Sequence, residues 1–207
     1  MNISFLIATI PSRIYSSYPR LAVKLLRQID SLGAKDIEVL SFFDNKKRTV
    51  GAKRNDLLCM ARGRYVAFLD DDDDISPDYV STIYQTLRKS SNVDVVVFNI
   101  SRPRKNNPDF LGVYDISTIR QYKRGAMFIS FPTHNHVWKA KLAKQIRFPE
   151  INFGEDRIWA KKMSLAATSQ AKIDKILYYY LFDFGVSETR GRKVPNVPMK
   201  NGFITML

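Results

Sequence analysis

The sequence predicts an α/β domain built on a mostly parallel central sheet flanked by helices. Short apolar runs at 3–10, 37–43, 65–69 and 93–100 are rich in Val, Ile, Phe and Leu. They are continuous rather than alternating, as expected of strands covered on both faces. Amphipathic stretches of helical length separate them, and strand–helix alternation implies parallel strands joined by right-handed crossovers. At 207 residues the chain is one domain with at most a short tail.

The first helix is expected at 19–32, with Leu21, Val23, Leu25, Ile29 and Leu32 on one broad face and Gly33 as its stop. A second runs over 52–61 and ends at Gly63. A third is expected over 77–89, with Ser76 as N-cap and Pro77 at the first helical position. Residues 101–124 are polar and carry Pro103 and Pro108, so they read as a long loop. A strand is expected at 125–131, helices at 138–146 and 155–167, and a further strand at 173–182. From Gly191 the chain is basic and punctuated by Pro195 and Pro198, which reads as a tail or as a linker to another domain.

Lys plus Arg number 33 against 20 Asp plus Glu, a net charge of +13. This favours an anionic partner, and nucleic acid, a membrane surface and a phosphorylated small molecule all qualify. The single cysteine, Cys59, excludes a disulfide framework and reads as a small buried hydrophobe. No apolar run reaches membrane-spanning length, and the opening apolar run lacks a basic leader. The expectation is a soluble cytoplasmic protein.

The strongest chemical signal is the run Asp70-Asp71-Asp72-Asp73-Asp74, directly after the third apolar run. Two carboxylates about 5 Å apart repel by roughly 3 kcal/mol at an effective dielectric near 20. Such a run is tolerated as a solvated turn or around a cation. Its place at the carboxyl end of a strand, where open α/β sheets bind ligands, favours the cation. Oxygen-only ligands suit Mg²⁺ or Mn²⁺ shared with a diphosphate. An EF-hand is excluded, because counting from Asp70 puts Ile75 where Gly is required and Ser81 where Glu is required. Walker A, dinucleotide-fingerprint and zinc-protease motifs are absent.

Gly51, the pair Arg54-Asn55, Gly63-Arg64-Tyr65 running through to Asp70, the acidic run and Pro77 together resemble the nucleotide-sugar half of GT-A fold glycosyltransferases of the large inverting family two. The resemblance covers about residues 1–185. Within that family the small, basic chain is similar to a capsid-modifying viral enzyme, which would place it in a host cytoplasm. The resemblance implies a GT-A glycosyltransferase domain at 1–190, with a nucleotide-sugar half at 1–100 and an acceptor half at 101–190, and a basic tail or a linker to a further domain at 191–207. It implies that Thr9, Pro11 and Arg13 cup the nucleotide base and that Asp44 meets a uracil edge, which favours a UDP-sugar. Asp72 would bind Mn²⁺ or Mg²⁺, and Asp70 the ribose or a metal-bound water. Asp71 is the register-shifted competitor, and Asp73 could help either way. Arg54 could reach a phosphate or pair with the acidic run, whereas Lys53 reads as a surface residue.

Phe148-Pro-Glu-Ile-Asn-Phe-Gly-Glu-Asp resembles the family's acceptor-side segment and ends in Glu155-Asp156. By resemblance Asp156 is the general base; from the residues alone the pair reads rather as first-turn helix acids complementing the dipole. His134 and His136 flank Asn135, and His136 is a candidate extra metal ligand or acceptor contact. Trp138 and Trp159 read as core. Arg190, Arg192 and Lys193 fall where the family has a loop that closes over the diphosphate. The acceptor would be a glycan or glycoprotein. Processive-synthase elements are missing, which favours a single addition. The alternatives are a sugar-nucleotide nucleotidyltransferase, which the glycine-free loop after residue 8 opposes, and a basic nucleic-acid-binding module, which the aspartate run opposes.

Overall fold

The structure, a computed structural model, describes residues 3–90, 92–104, 107–181 and 202–206. Its sheet is seeded by three parallel strands, β1 (Ile3–Thr9), β2 (Ile37–Phe43) and β3 (Tyr65–Asp70), with β1 in the middle. All but the last residue or so of each strand is buried, which accounts for the continuous rather than alternating apolar pattern.

Helix α1 (Ser17–Leu32) links β1 to β2 and buries Tyr18, Leu21, Ala22 and Leu25. Val23, expected on that face, is 44% exposed. Gly33 closes the helix at φ 64°, a left-handed conformation that costs glycine no Cβ clash. Helix α2 (Val50–Met60) links β2 to β3, with the Thr49 hydroxyl accepting from the Ala52 N–H as N-cap. Its inward side carries Lys53, Arg54, Asn55, Leu57 and Leu58, which leaves Cys59 exposed rather than buried as expected.

After the aspartate run, β4 (Asp74–Ile75) pairs antiparallel with β10 (Gln170–Tyr179). The Ser76 N–H extends that contact by donating to the Leu177 carbonyl, which holds the expected N-cap residue on β10. Helix α3 (Tyr79–Lys89) therefore begins two residues late, with Asp78 rather than Ser76 at the N-cap; the Ser76 hydroxyl donates to Asp78.

Residues 101–124 are not a loop. Strand β5 (Val95–Arg104) continues into them, β6 (Asn107–Tyr114) returns antiparallel to it, and β7 (Tyr122–Arg124) pairs with β8 (Met127–Ser130). Half-exposed strands toward a sheet edge tolerate the polar residues and prolines that resemble loop composition. The helix expected over 138–146 shrinks to α4 (Ala140–Ala143), because β9 (Val137–Lys139) inserts antiparallel between β3 and β5 with Trp138 fully buried. Helix α5 (Glu155–Ala166) matches its expected span, and Trp159 is core as expected.

The sheet order is β11-β2-β1-β3-β9-β5-β6-β8-β7, with β10 beside β5 and β4. It is mixed: parallel through the first three strands and largely antiparallel beyond them. The stretch read as a tail or linker supplies β11 (Gly202–Met206), antiparallel to β2. Among the described residues no helix is long and apolar enough to cross a membrane.

Candidate active site

The carboxyl ends of β1 and β3 are adjacent, and this brings Thr9, Arg13 and the aspartate run together. Asp71 turns inward, where it accepts from the Thr9 hydroxyl at 2.5 Å and pairs with Arg13. Asp73 also turns inward. It accepts from the Tyr178 hydroxyl at 2.7 Å and from the Leu181 N–H at 2.8 Å. Asp70 and Asp72 keep open surface: their side chains are 24% and 31% exposed, against 3% for Asp71. Exposure thus alternates along the run. Asp70 and Asp72 keep oxygens at the surface, while Asp71 and Asp73 hold the turn in place.

Asp70 is gripped from three directions. Arg54 donates to it at 2.8 Å, His134 Nε2 lies 3.1 Å away, and Asn135 Nδ2 donates at 3.4 Å. Its own N–H donates to the Tyr178 hydroxyl, which in turn donates to Asp73. Burial pushes the Asp70 carboxyl up, but His134 and Arg54 outweigh it and hold it well below the ordinary carboxylate range. Asp72 behaves oppositely. Burial, then the neighbouring Asp70 and Asp71 charges, push it up to about 6 against the pull of Arg13, whose guanidinium is 2.8 Å away. Burial and the Asp70 and Asp72 charges likewise raise Asp73.

Arg54 joins the two halves of the site. It is 6% exposed, donates to Glu155 at 2.5 Å and to Asp70 at 2.8 Å, and lies over the rings of Phe68 and Phe148. It can reach both acids because α2 packs very closely on the segment before α5. A Cβ on Gly51 would lie 1.9 Å from the Pro149 carbonyl oxygen, and the Gly51 N–H donates to Ile151. Asn55 locks the same contact, exchanging hydrogen bonds with the Phe148 backbone at 2.9 and 2.8 Å.

Glu155 is 4% exposed, and burial raises its pKa despite Arg54. It is therefore a structural partner of Arg54 and not open to a substrate. Asp156 is different. Its side chain is 42% exposed, and its Oδ2 lies 3.8 Å from His134 Nδ1. His134 thus stands between Asp70 and Asp156, and its Nδ1 is buried with no hydrogen-bond partner.

Other expected contacts are placed differently. His136 is fully buried: its Nδ1 accepts from the Thr133 N–H and its Nε2 lies 3.1 Å from the Phe98 carbonyl. Burial lowers its pKa to about 4, so it is a neutral core residue with both nitrogens occupied and not a metal ligand. Thr9 gives its hydroxyl to Asp71 rather than to a base, and Pro11 is buried at the start of a 3-10 turn (Pro11–Arg13). Asp44 is 1% exposed, accepts from the Arg48 N–H and pairs with Lys53 at 3.2 Å. Lys53, read as a surface residue, is therefore buried. Arg190, Arg192 and Lys193 lie outside the described residues. The sequence reading gave no role to Asn135 or Tyr178, because an Asn between two histidines and a Tyr in an apolar strand carry no spacing signal.

Among the described residues no three His, Cys, Asp or Glu side chains converge to hold a metal unaided. Magnesium-type sites do not need three, since they use one or two carboxylates together with substrate phosphates. The half-open Asp72, raised by burial and then by its negative neighbours, and Asp70 beside it fit that mode.

The chain matches the family model for Glycosyl transferase family 2 over residues 22–148. The chain belongs to glycosyl transferase family 2. A curated relative, the glycosyltransferase GlyA of Streptococcus pneumoniae serotype 4, is 29% identical over 153 residues; the match covers 67% of this family 2 chain and 22% of GlyA. Among solved structures, S. aureus TarS 1-349 in complex with UDP-GlcNAc superposes with a TM-score of 0.64 at 17% identity, covering 93% of this chain and 62% of TarS 1-349. TarS 1-349 in complex with UDP gives 0.62 at 19% identity, covering 88% and 61%. The family 2 domain thus spans about a fifth of its curated relative and three-fifths of those TarS chains. These likenesses bear out the α/β GT-A fold and the glycosyltransferase class. The relatives described here are bacterial rather than viral.

Proposed function

We propose that this family 2 domain moves a sugar from a UDP-sugar to a hydroxyl of a carbohydrate or glycoprotein acceptor, with inversion and with Mn²⁺ or Mg²⁺ at the leaving diphosphate. The observation that carries the reading is the pairing of Asp70 and Asp72 as the two site-facing members of the run, with the half-exposed Asp156 across His134 from them. Residues 1–100 supply the donor half and 101–190 the acceptor half. The bound UDP-GlcNAc and UDP of the TarS structures support a uridine donor.

A divalent cation, when bound, stabilises the negative charge that builds on a departing diphosphate. Asp72, with Asp70, would hold that cation. Arg13 and Arg54 would balance the remaining charge of the acidic turn. Asp156 would accept the proton of the attacking acceptor hydroxyl. His134, fixed by Asp70 on one side and facing Asp156 on the other, keeps that base oriented. Tyr178 and Asn135 hold the Asp70 backbone and carboxylate in place, so that the cradle is preorganised rather than assembled by the substrate. Base recognition by Asp44 would require its pair with Lys53 to open.

A thermal-shift panel of UDP-, GDP- and dTDP-sugars with and without Mn²⁺ tests the reading. The expected result is stabilisation by UDP-sugars that grows with Mn²⁺, as ligand linkage requires. Stabilisation indifferent to both the nucleotide and the cation contradicts it.

A further inference from the structure

The acceptor half carries a surface that the donor site does not use. Strands β5, β6, β8 and β7 lie side by side, with Arg102 opposite Phe110, Gly112 opposite Phe128, and Phe128 opposite Lys123. Residues in register across strands share a face, so Arg102, Phe110, Phe128 and Lys123 stand on the same side. Asp109 belongs to the reverse side, where it accepts from the Ser101 hydroxyl.

Each cation of this stripe lies against an aromatic ring. The Arg102 guanidinium lies 5.1 Å from the ring centre of Phe128 and 5.1 Å from that of Tyr180. Lys123 Nζ lies 5.1 Å from the ring centre of Phe110. Tyr180 is the inner end, next to Leu181, whose N–H holds Asp73. The stripe therefore starts at the rim of the acidic turn and runs toward the β7 edge.

Several cations elsewhere have carboxylate partners, among them Lys24 with Asp74, Lys172 with Asp115 and Lys175 with Asp78. Among the described residues no carboxylate pairs with Arg102 or Lys123, and Arg102 Nε is buried without a hydrogen-bond partner. Arg102, partly buried between two aromatic rings and lacking an anion, is prepared for one, and the exposed Lys123 adds a second positive charge on the same face. A planar guanidinium suits a carboxylate or phosphate in particular. Two rings, Phe128 and Tyr180, flank Arg102, and Phe110 lies beside Lys123, so aromatic surface on which sugar rings can stack adjoins both cations.

We infer that this stripe binds the acceptor, and that the acceptor is an anionic carbohydrate whose carboxylate or phosphate groups pair with Arg102 and Lys123 while its rings lie on Tyr180, Phe128 and Phe110. The inference rests on the transferase reading, because it takes the bound saccharide to be the substrate attacked from that side. A nucleic acid carries a phosphate at every step, and the neighbouring aspartates oppose that charge. A saccharide with spaced anions keeps its neutral end toward them.

The test uses the full chain without donor, titrated by microscale thermophoresis. Four probes serve: an oligogalacturonate, a phosphorylated dextran oligosaccharide, a neutral oligosaccharide of the same length, and a single-stranded oligothymidylate. The expected result is binding of an anionic saccharide at least about tenfold tighter than the neutral one, the scale of one charge-assisted contact. The two anionic probes separate a carboxylate from a phosphate preference. Lys123→Gln, on an exposed strand, and Arg102→Gln should each remove most of that preference. Lys123→Gln should leave stabilisation by UDP and Mn²⁺ as in the unaltered chain. Equal affinity for neutral and anionic saccharide, a preference that survives both substitutions, or tighter binding of the oligothymidylate overturns the inference. If the saccharide preference holds but UDP-sugars fail to stabilise the chain, the transferase reading has failed instead.

Discussion

Replacing Arg54 with alanine removes the cation that two acids share. Glu155 has a side chain only 6% exposed and Asp70 one that is 24% exposed, and Arg54 bonds to both. Without it, Glu155 stays buried and, among the described residues, has no ion-pair partner. Removing one partner of a buried pair costs about 3–5 kcal/mol, which for a chain of this size lowers the melting temperature by roughly 6–20 °C. The pH dependence gives a second readout. Burial already raises the Glu155 pKa, and loss of Arg54 raises it further. A carboxyl whose folded pKa is raised contributes stability at low pH that is lost as pH rises through the folded value. The deficit of Arg54→Ala relative to the unaltered chain should therefore be smallest near pH 5 and should widen toward pH 8. Urea unfolding followed by circular dichroism across that range measures it. A deficit below about 1 kcal/mol, or one that does not grow with pH, refutes the view that Arg54 joins the end of β3 to the start of α5 through buried charge.

The remaining predictions concern single residues. Asp156→Asn should retain UDP-sugar binding while transfer falls about 10²–10⁴-fold, the usual worth of a positioned general base, as measured by UDP release with acceptor. His136→Gln should leave Mn²⁺ affinity unchanged, because both ring nitrogens face the backbone. Since burial lowers the His136 pKa from 6.5 to about 4, its contribution is present above pH 6.5 and lost as pH falls toward 4. The native chain should lose up to about 3 kcal/mol over that window, and the Gln variant should lack that part of the slope in acid-range denaturation curves. Gly51→Ala sets a methyl 1.9 Å from the Pro149 carbonyl oxygen, so the 149–151 segment must move. Overpacking of that kind costs about 1–3 kcal/mol, and differential scanning calorimetry should detect it together with reduced transfer.

Much of the donor half was legible because its signals are local. Strands buried on both faces show as unbroken apolar runs, and α1 ends where Gly33 must adopt a positive φ. The aspartate run announced a site at the end of β3, but its register is a tertiary fact. Thr9 and Arg13 on one side, and Tyr178 on the other, draw Asp71 and Asp73 inward and leave Asp70 and Asp72 facing out. The sequence carries no trace of those long-range partners. The acceptor half was harder because its strands are half exposed and pair out of order. The 101–124 region has the composition of a loop and the hydrogen bonds of a sheet. Trp138 carries a helix-like neighbourhood, yet it fills the core from a strand. His136 and Lys53 were misplaced for the same reason: a lone polar side chain does not reveal whether a backbone carbonyl or a carboxylate waits for it in the fold.

The central claim is that Asp72, with Asp70 beside it, holds a divalent cation together with a donor diphosphate. Electron paramagnetic resonance of Mn²⁺ titrated into the chain with UDP tests it most directly. The free-ion signal should be quenched on adding the unaltered chain with UDP, and should persist with Asp72→Asn at the same concentrations. Equal quenching by both, or no quenching by either, contradicts the account.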